Sequence, residues 1–113
     1  MKIIEEKIDL MEIKEMAVNS FGNLVKVVVD IEQEIIAVDG ELHSDEEALL
    51  LEKGAFQDNL WGINLYPEMI GDDFIEFDSM INLRPIQGNH SRGIDDPQIR
   101  QKIKKIIDKL ICK

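Results

Sequence analysis

The sequence predicts an α+β domain, a small antiparallel sheet of about four strands covered on one side by about three helices, in the order αββαββα. Apolar residues near both ends recur at the helical period, and the segments between them alternate with period two. The strand segments are joined by turn-length connections, which suit hairpins and are too short for parallel crossovers. The chain has 113 residues, 44% hydrophobic and 32% charged, with 7 Gly and 3 Pro, so residues 1–113 are expected to form one globular domain.

The first helix is expected after Asp9, where Glu12 completes an acidic capping box and Leu10, Ile13, Ala17 and Phe21 lie on one side. Gly22 ends it, and Lys2 to Ile4 ahead of it forms a short strand. From Leu24 the period changes: Val25, Val27, Val29 and Ile31 share a strand face opposite Lys26 and Asp30. A polar turn at Glu32 to Glu34 leads into Ile35–Val38, the returning arm of a hairpin. Ser44 and Glu47 form a capping box that opens a short helix over Asp45 to Lys53, with Gly54 as its stop.

Leu60 to Tyr66 reads as a third strand ended by Pro67, and Gly71, Asp72 and Asp73 turn the chain into a long fourth strand, Phe74 to Arg84. In that strand Ile75, Phe77, Ile81 and Leu83 share a face with Ser79, against Glu76, Asp78, Asn82 and Arg84 on the other. The last helix is the clearest. Asp96 caps it, Pro97 takes the first helical position, and Ile99, Ile103, Ile106, Ile107 and Leu110 make its buried stripe.

Charge narrows the function. With 23 Asp plus Glu against 13 Lys plus Arg the net charge is -10, a field that repels a phosphate backbone, so long nucleic acids are not expected partners. The charge is uneven: residues 1–96 carry 22 acids and 7 bases, residues 97–113 carry 1 acid and 6 bases. A basic segment therefore sits on an acidic body. Cys112 is the only cysteine, which excludes an intramolecular disulfide and a multi-cysteine zinc site and points to a reducing, cytoplasmic setting. Glu5, Glu6 and Asp9 interrupt the apolar core a signal peptide needs, and no apolar run is long enough for a membrane span, so no membrane partner is expected.

The stretches Ala37-Val38-Asp39-Gly40-Glu41-Leu42-His43, Leu60-Trp61-Gly62-Ile63-Asn64-Leu65-Tyr66-Pro67 and Phe77-Asp78-Ser79-Met80-Ile81-Asn82-Leu83-Arg84-Pro85, followed by Gly88-Asn89 and Ser91-Arg92, carry a resemblance. Over most of its length the chain resembles a family of short bacterial and archaeal proteins of unknown function. The resemblance implies no activity, ligand, cofactor or catalytic residue.

No complete catalytic or cofactor motif is present, and three constellations remain. Asp39, Glu41 and His43 are spaced by two, so a strand running through them would point all three to one side, where they could share a divalent cation with Glu46 or Glu47. The same residues also fit an exposed strand end feeding a helix whose N-terminus attracts carboxylates. The polar face of the fourth strand, with Asn64 and Tyr66 beside it, reads either as a site or as an ordinary solvent-facing sheet. The third is the loop that follows: Asn82, Arg84, Asn89, His90 and Arg92 can surround an anion with guanidinium forks and amides, with Ser91 and two glycines nearby. It is not a phosphate-binding P-loop, because GxxxxGK[ST] is absent.

The expected function is that of a small binding or regulatory domain recognising a small anionic ligand or a partner protein through this loop, with the cofactor unknown. Two alternatives stay open, a metal-dependent hydrolase or nuclease, and an acidic interaction protein resembling an antitoxin or a nucleic-acid mimic. In the anion reading Arg84 and Arg92 face the ligand. In the competing reading Glu76, Asp78 or Asp95 pair with them and merely pin the loop.

Overall fold

The computed structural model describes residues 1–113. In chain order its elements are β1 (Lys2–Ile4), β2 (Ile8–Asp9), α1 (Leu10–Asn19), β3 (Val25–Asp30), β4 (Ile35–Val38), α2 (His43–Glu52), β5 (Leu60–Leu65), β6 (Ile75–Glu76), α3 (Pro97–Leu110) and β7 (Ile111–Cys112). Five strands form an antiparallel sheet in the order β1-β4-β3-β5-β6. The α+β class and the antiparallel sheet are therefore as expected, with β1 adding a fifth strand. β2 and β7 make a separate parallel pair, Ile8 with Ile111 and Asp9 with Cys112, which ties the start of the chain to its end.

The helices cover both faces of the sheet, not one. Val25, Val27 and Val29 of β3, Ile36 and Val38 of β4 and Trp61, Ile63 and Leu65 of β5 pack with Ile13 and Ala17 of α1 and Ile103, Ile106, Ile107 and Leu110 of α3. On the opposite face Val28, Ile35, Ala37 and Leu60 pack with Leu50 of α2 and with Ala55. Strands buried on both sides are apolar at consecutive positions, and Val27-Val28-Val29 and Ile35-Ile36-Ala37-Val38 have that form. A period-two reading notices only one of the two faces.

Local signals fare differently at the three helices. Asp96 accepts the Gln98 N–H at 2.8 Å and Pro97 follows, as the sequence indicates, and of the expected stripe Ile103, Ile106, Ile107 and Leu110 are buried while Ile99 is half-buried. Gly22 lies at φ +95 and its N–H reaches the Ala17 carbonyl at 2.6 Å, closing the end of α1, although the Asp9 side chain makes no cap bond. At α2 the expected boundary is displaced. The helix starts at His43 with Leu42 as N-cap and no side-chain cap bond, so Ser44 lies inside the first turn.

The long fourth strand does not form. β6 pairs with β5 only at Asn64–Glu76 and Leu65–Ile75, after which the chain leaves the ladder and makes 3₁₀ turns at Met80–Asn82 and Pro85–Gln87. The reason lies at Gly62. The Asn82 side chain accepts the Gly62 N–H at 2.8 Å and donates to the Gly62 carbonyl at 2.9 Å, meeting both polar groups that a continuing edge strand would have met. A Cβ on Gly62 would stand 2.5 Å from Ser79 Cβ, so the absence of a side chain there lets the crossing segment lie on the strand. The apolar residues assigned to one face accordingly divide: Ile75 and Phe77 pack on the larger cluster, Ile81 on the α2 side, and Leu83 is exposed.

Asn82→Ala leaves two backbone groups of a buried strand residue unpaired and is expected to cost roughly 3 kcal/mol, read from urea midpoints. A cost near zero would mean that water replaces the carboxamide. In the same assay Asp96→Ala loses its cap and about 1 kcal/mol, while Ser44→Ala stays within about 0.5 kcal/mol of wild type.

Candidate functional site

Three of the five side chains expected to surround an anion are held to the protein's own backbone. Asn82 is fully buried and also donates to the Arg92 carbonyl at 3.0 Å. Asn89 donates to the carbonyls of Asn82, Ser91 and Gly93 and accepts the Asp95 N–H at 2.8 Å, using its whole carboxamide to shape the loop. Arg84 donates to the carbonyls of Gln57 (2.7 Å) and Leu60, and its guanidinium carbon lies 4.1 Å from the centre of the Trp61 ring. Its backbone exchanges two hydrogen bonds with Asn89 across a tight turn at which Gly88 has φ +79.

His90 and Arg92 are exposed. The His90 backbone N–H is held by Asp95 at 2.8 Å, and Arg92 Nε donates to Asp78 Oδ1 at 2.8 Å. The five residues thus do not surround one cavity. The pairing weighed against the anion reading is present at Arg92, and carbonyl oxygens take its place at Arg84.

A different concavity takes in one of the five. Lys26 of β3, His43 and Ser44 from the first turn of α2, and Ser79 and Arg92 from the crossing segment line a depression of ≈ 150 Å³, with Leu42, Met80 and Ile81 as its apolar lining. A volume of this size holds about five waters, enough for a small ion. Lys26 stands directly across the ladder from Asn64, so its side chain emerges on the sheet face that also carries α2. Arg92 arrives because Ser79 N–H bonds the Arg92 carbonyl at 2.9 Å, holding the two ends of the loop together.

His43 is buried, and Nε2 lies 2.7 Å from the Ile63 carbonyl oxygen. Burial holds its imidazole below the ordinary value, with Lys26 and Arg92 acting in the same direction against the Ile63 bond and Asp78. A neutral imidazole between two cations, with two hydroxyls and a helix start that no side chain caps, makes this concavity chemically suited to an anion.

Asp39, Glu41 and His43 do not share a face. β4 ends at Val38, Asp39 turns the chain at φ +67, Glu41 is exposed, and His43 has already entered α2 with its ring turned to the sheet. No group of three or more His, Cys, Asp and Glu side chains gathers to hold a metal ion. The other polar cluster does form in part: Glu76 accepts from Asn64 at 2.9 Å and from the Tyr66 hydroxyl at 3.2 Å, while Asp78 turns away to Arg92. Burial and the Glu76 carboxylate both raise the Tyr66 pKa.

Lys26 carries no motif, its one hint being a lone lysine within an apolar strand, and Ser44 was legible only as a capping-box residue of α2. Glu46 was legible as a helix-start acid or as an added oxygen ligand beside Asp39, Glu41 and His43. It is fully buried, and Oε2 accepts the Gly40 N–H at 2.9 Å while Oε1 has no partner. Burial pushes its pKa from 4.5 up to about 9, against the Gly40 bond and Lys26, with Asp39 raising it and the N-terminal amine lowering it. Between those two values the unfolded chain has released a proton that the folded chain keeps, so stability falls as pH rises. Glu46→Gln removes that slope. The variant is expected to exceed wild type by at least about 1 kcal/mol near pH 8, with the gap closing toward pH 5, and parallel denaturation curves at both pH values are the check.

Comparison with known proteins gives a family and nothing finer. No curated protein and no solved structure matches the chain. A family model described as a protein of unknown function (DUF5674) matches residues 2–110, all but four residues of the chain. The chain therefore belongs to that family of proteins of unknown function.

Proposed function

We propose that this domain binds a small anion in the depression between β3, the start of α2 and the Ser79–Arg92 segment. The observation that carries the reading is the convergence of Lys26, His43 and Arg92 on one concavity in a chain of net charge -10. Lys26 and Arg92 supply charge, and Arg92 retains its terminal nitrogens for a ligand because Asp78 is bonded through Nε. Ser44 and Ser79 supply hydroxyls. The acidic remainder acts against long polyanions over a range that salt shortens, whereas a small ion needs only the local field. The loop residues Asn82, Arg84 and Asn89 serve this reading indirectly, by fixing where Arg92 stands.

Inorganic phosphate, sulfate and citrate in a thermal-shift series test the proposal. At least one is expected to raise the melting temperature of wild type, with the gain reduced by added sodium chloride and lost in Lys26→Ala and Arg92→Ala. Arg84→Ala lowers the melting temperature itself and reduces the gain less than Arg92→Ala does, because Arg84 acts only through the position of Arg92. The reading fails if wild type gains nothing from any of the three, or if the gain persists in both Lys26→Ala and Arg92→Ala.

A further inference from the structure

The anion reading can be taken one step deeper at His43. The Ile63 carbonyl can only accept, so the contact at 2.7 Å fixes a proton on Nε2. In the neutral ring Nδ1 then carries a lone pair, and no protein group donates to it. It is the one polar atom of that side chain left for the depression that His43 lines. The charged groups facing the ring are Lys26 from β3 and Asp78 and Arg92 from the crossing segment. Two of the three are cations, which oppose a second proton on the ring, and burial opposes it too.

A site made of two cations, two hydroxyls and one hydrogen-bond acceptor is not indifferent among anions. An oxyanion with no proton places a lone pair against the Nδ1 lone pair, whereas one that retains a hydroxyl donates to it. We infer that the depression selects an oxyanion that still bears a proton, of the hydrogen phosphate type, over a fully deprotonated one such as sulfate, with His43 Nδ1 as the acceptor. Lys26 and Arg92 neutralise its remaining oxygens. The volume of ≈ 150 Å³ admits the tetrahedral ion and leaves no room to enclose a larger body, so an ester substituent would stay in solvent. A phosphomonoester has its second pKa near about 6, so it would bind as the monoanion and weaken as pH rises past that value.

This inference rests on the anion reading, and its test separates the two. Inorganic phosphate and sodium sulfate are titrated into wild type by calorimetry at constant ionic strength, from mildly acidic to mildly alkaline pH. Phosphate is expected to bind about ten-fold more tightly than sulfate, or better, at the alkaline end, because a site built to accept a hydrogen bond rejects a ligand that cannot donate one. The preference is expected to shrink as acid protonates Nδ1 and turns it into a donor. Lys26→Ala weakens both ions alike. Equal affinity for the two across the pH range overturns the role of His43 while leaving the anion site standing, and binding of neither ion overturns both readings.

Discussion

The pair of hydrogen bonds between the Asn82 carboxamide and the backbone of Gly62 is the contact on which the outer half of the molecule depends. A primary amide carries one donor side and one acceptor side at nearly the spacing of a peptide group, so it can stand in for one residue of a neighbouring strand. Here it does so at the point where β6 has stopped, and it satisfies β5 without extending the sheet. The chain is thereby released from ladder geometry over the α2 face, and Ser79, Met80, Ile81 and Arg92 come to lie beside α2 and Lys26. Gly62 makes the crossing possible by offering no side chain at the closest approach. A regular fourth strand would have carried alternate side chains up and down in place, with no means of bringing Arg92 toward Lys26.

What was legible in the sequence was whatever short-range physics dictates. α3 announces itself because its cap, its proline and its apolar stripe all concern residues within four positions of one another. β3 and β5 are legible for the same reason, β3 by its alternation about Lys26 and Asp30 and β5 by an apolar run ended at Pro67. The start of α2 departs from its local pattern: Ser44 and Glu47 have the spacing of a capping box, while the helix begins at His43, whose ring is bonded to Ile63 on another strand. The fourth strand failed for a deeper reason. Its alternation over Phe74 to Arg84 is real, but Asn82 bonds Gly62, twenty positions away, and no window along the chain contains both.

The site was legible to a similar extent. The polar content of the segment after Arg84 marks it as a candidate site, but that content alone does not divide side chains free to meet a ligand from those holding the loop. Hydrogen-bond capacity makes the division. Asn89 has two amide hydrogens and one oxygen, and all are occupied by backbone. Arg84 faces carbonyls and an aromatic ring. Arg92 uses Nε on Asp78 and retains the rest of its fork. Residues that look alike in a polar loop therefore fall into two kinds, and the kind is set by which backbone groups the fold leaves unpaired nearby.

Glu46 and His43 show the same selection acting on charge. Both lie on the inward side of α2, three residues apart, and both are buried against a sheet face whose one basic side chain near them is Lys26. The fold suppresses the charge of each: Glu46 keeps its proton and His43 stays without a second one. Had Glu46 been ionised, its carboxylate would compete with any bound anion for Lys26 at short range and in a poorly screened setting. Its neutrality removes that competitor, and the proton it carries gives Oε2 or Oε1 a donor toward whatever polar group approaches. The cost of keeping a carboxylic acid in the core is thus tied to the electrostatics of the neighbouring depression. Glu46, the buried acid on the same side of α2, is neutralised by burial itself and not by an ion pair with Lys26, whose ammonium stands 5.3 Å from the centre of the Phe21 ring.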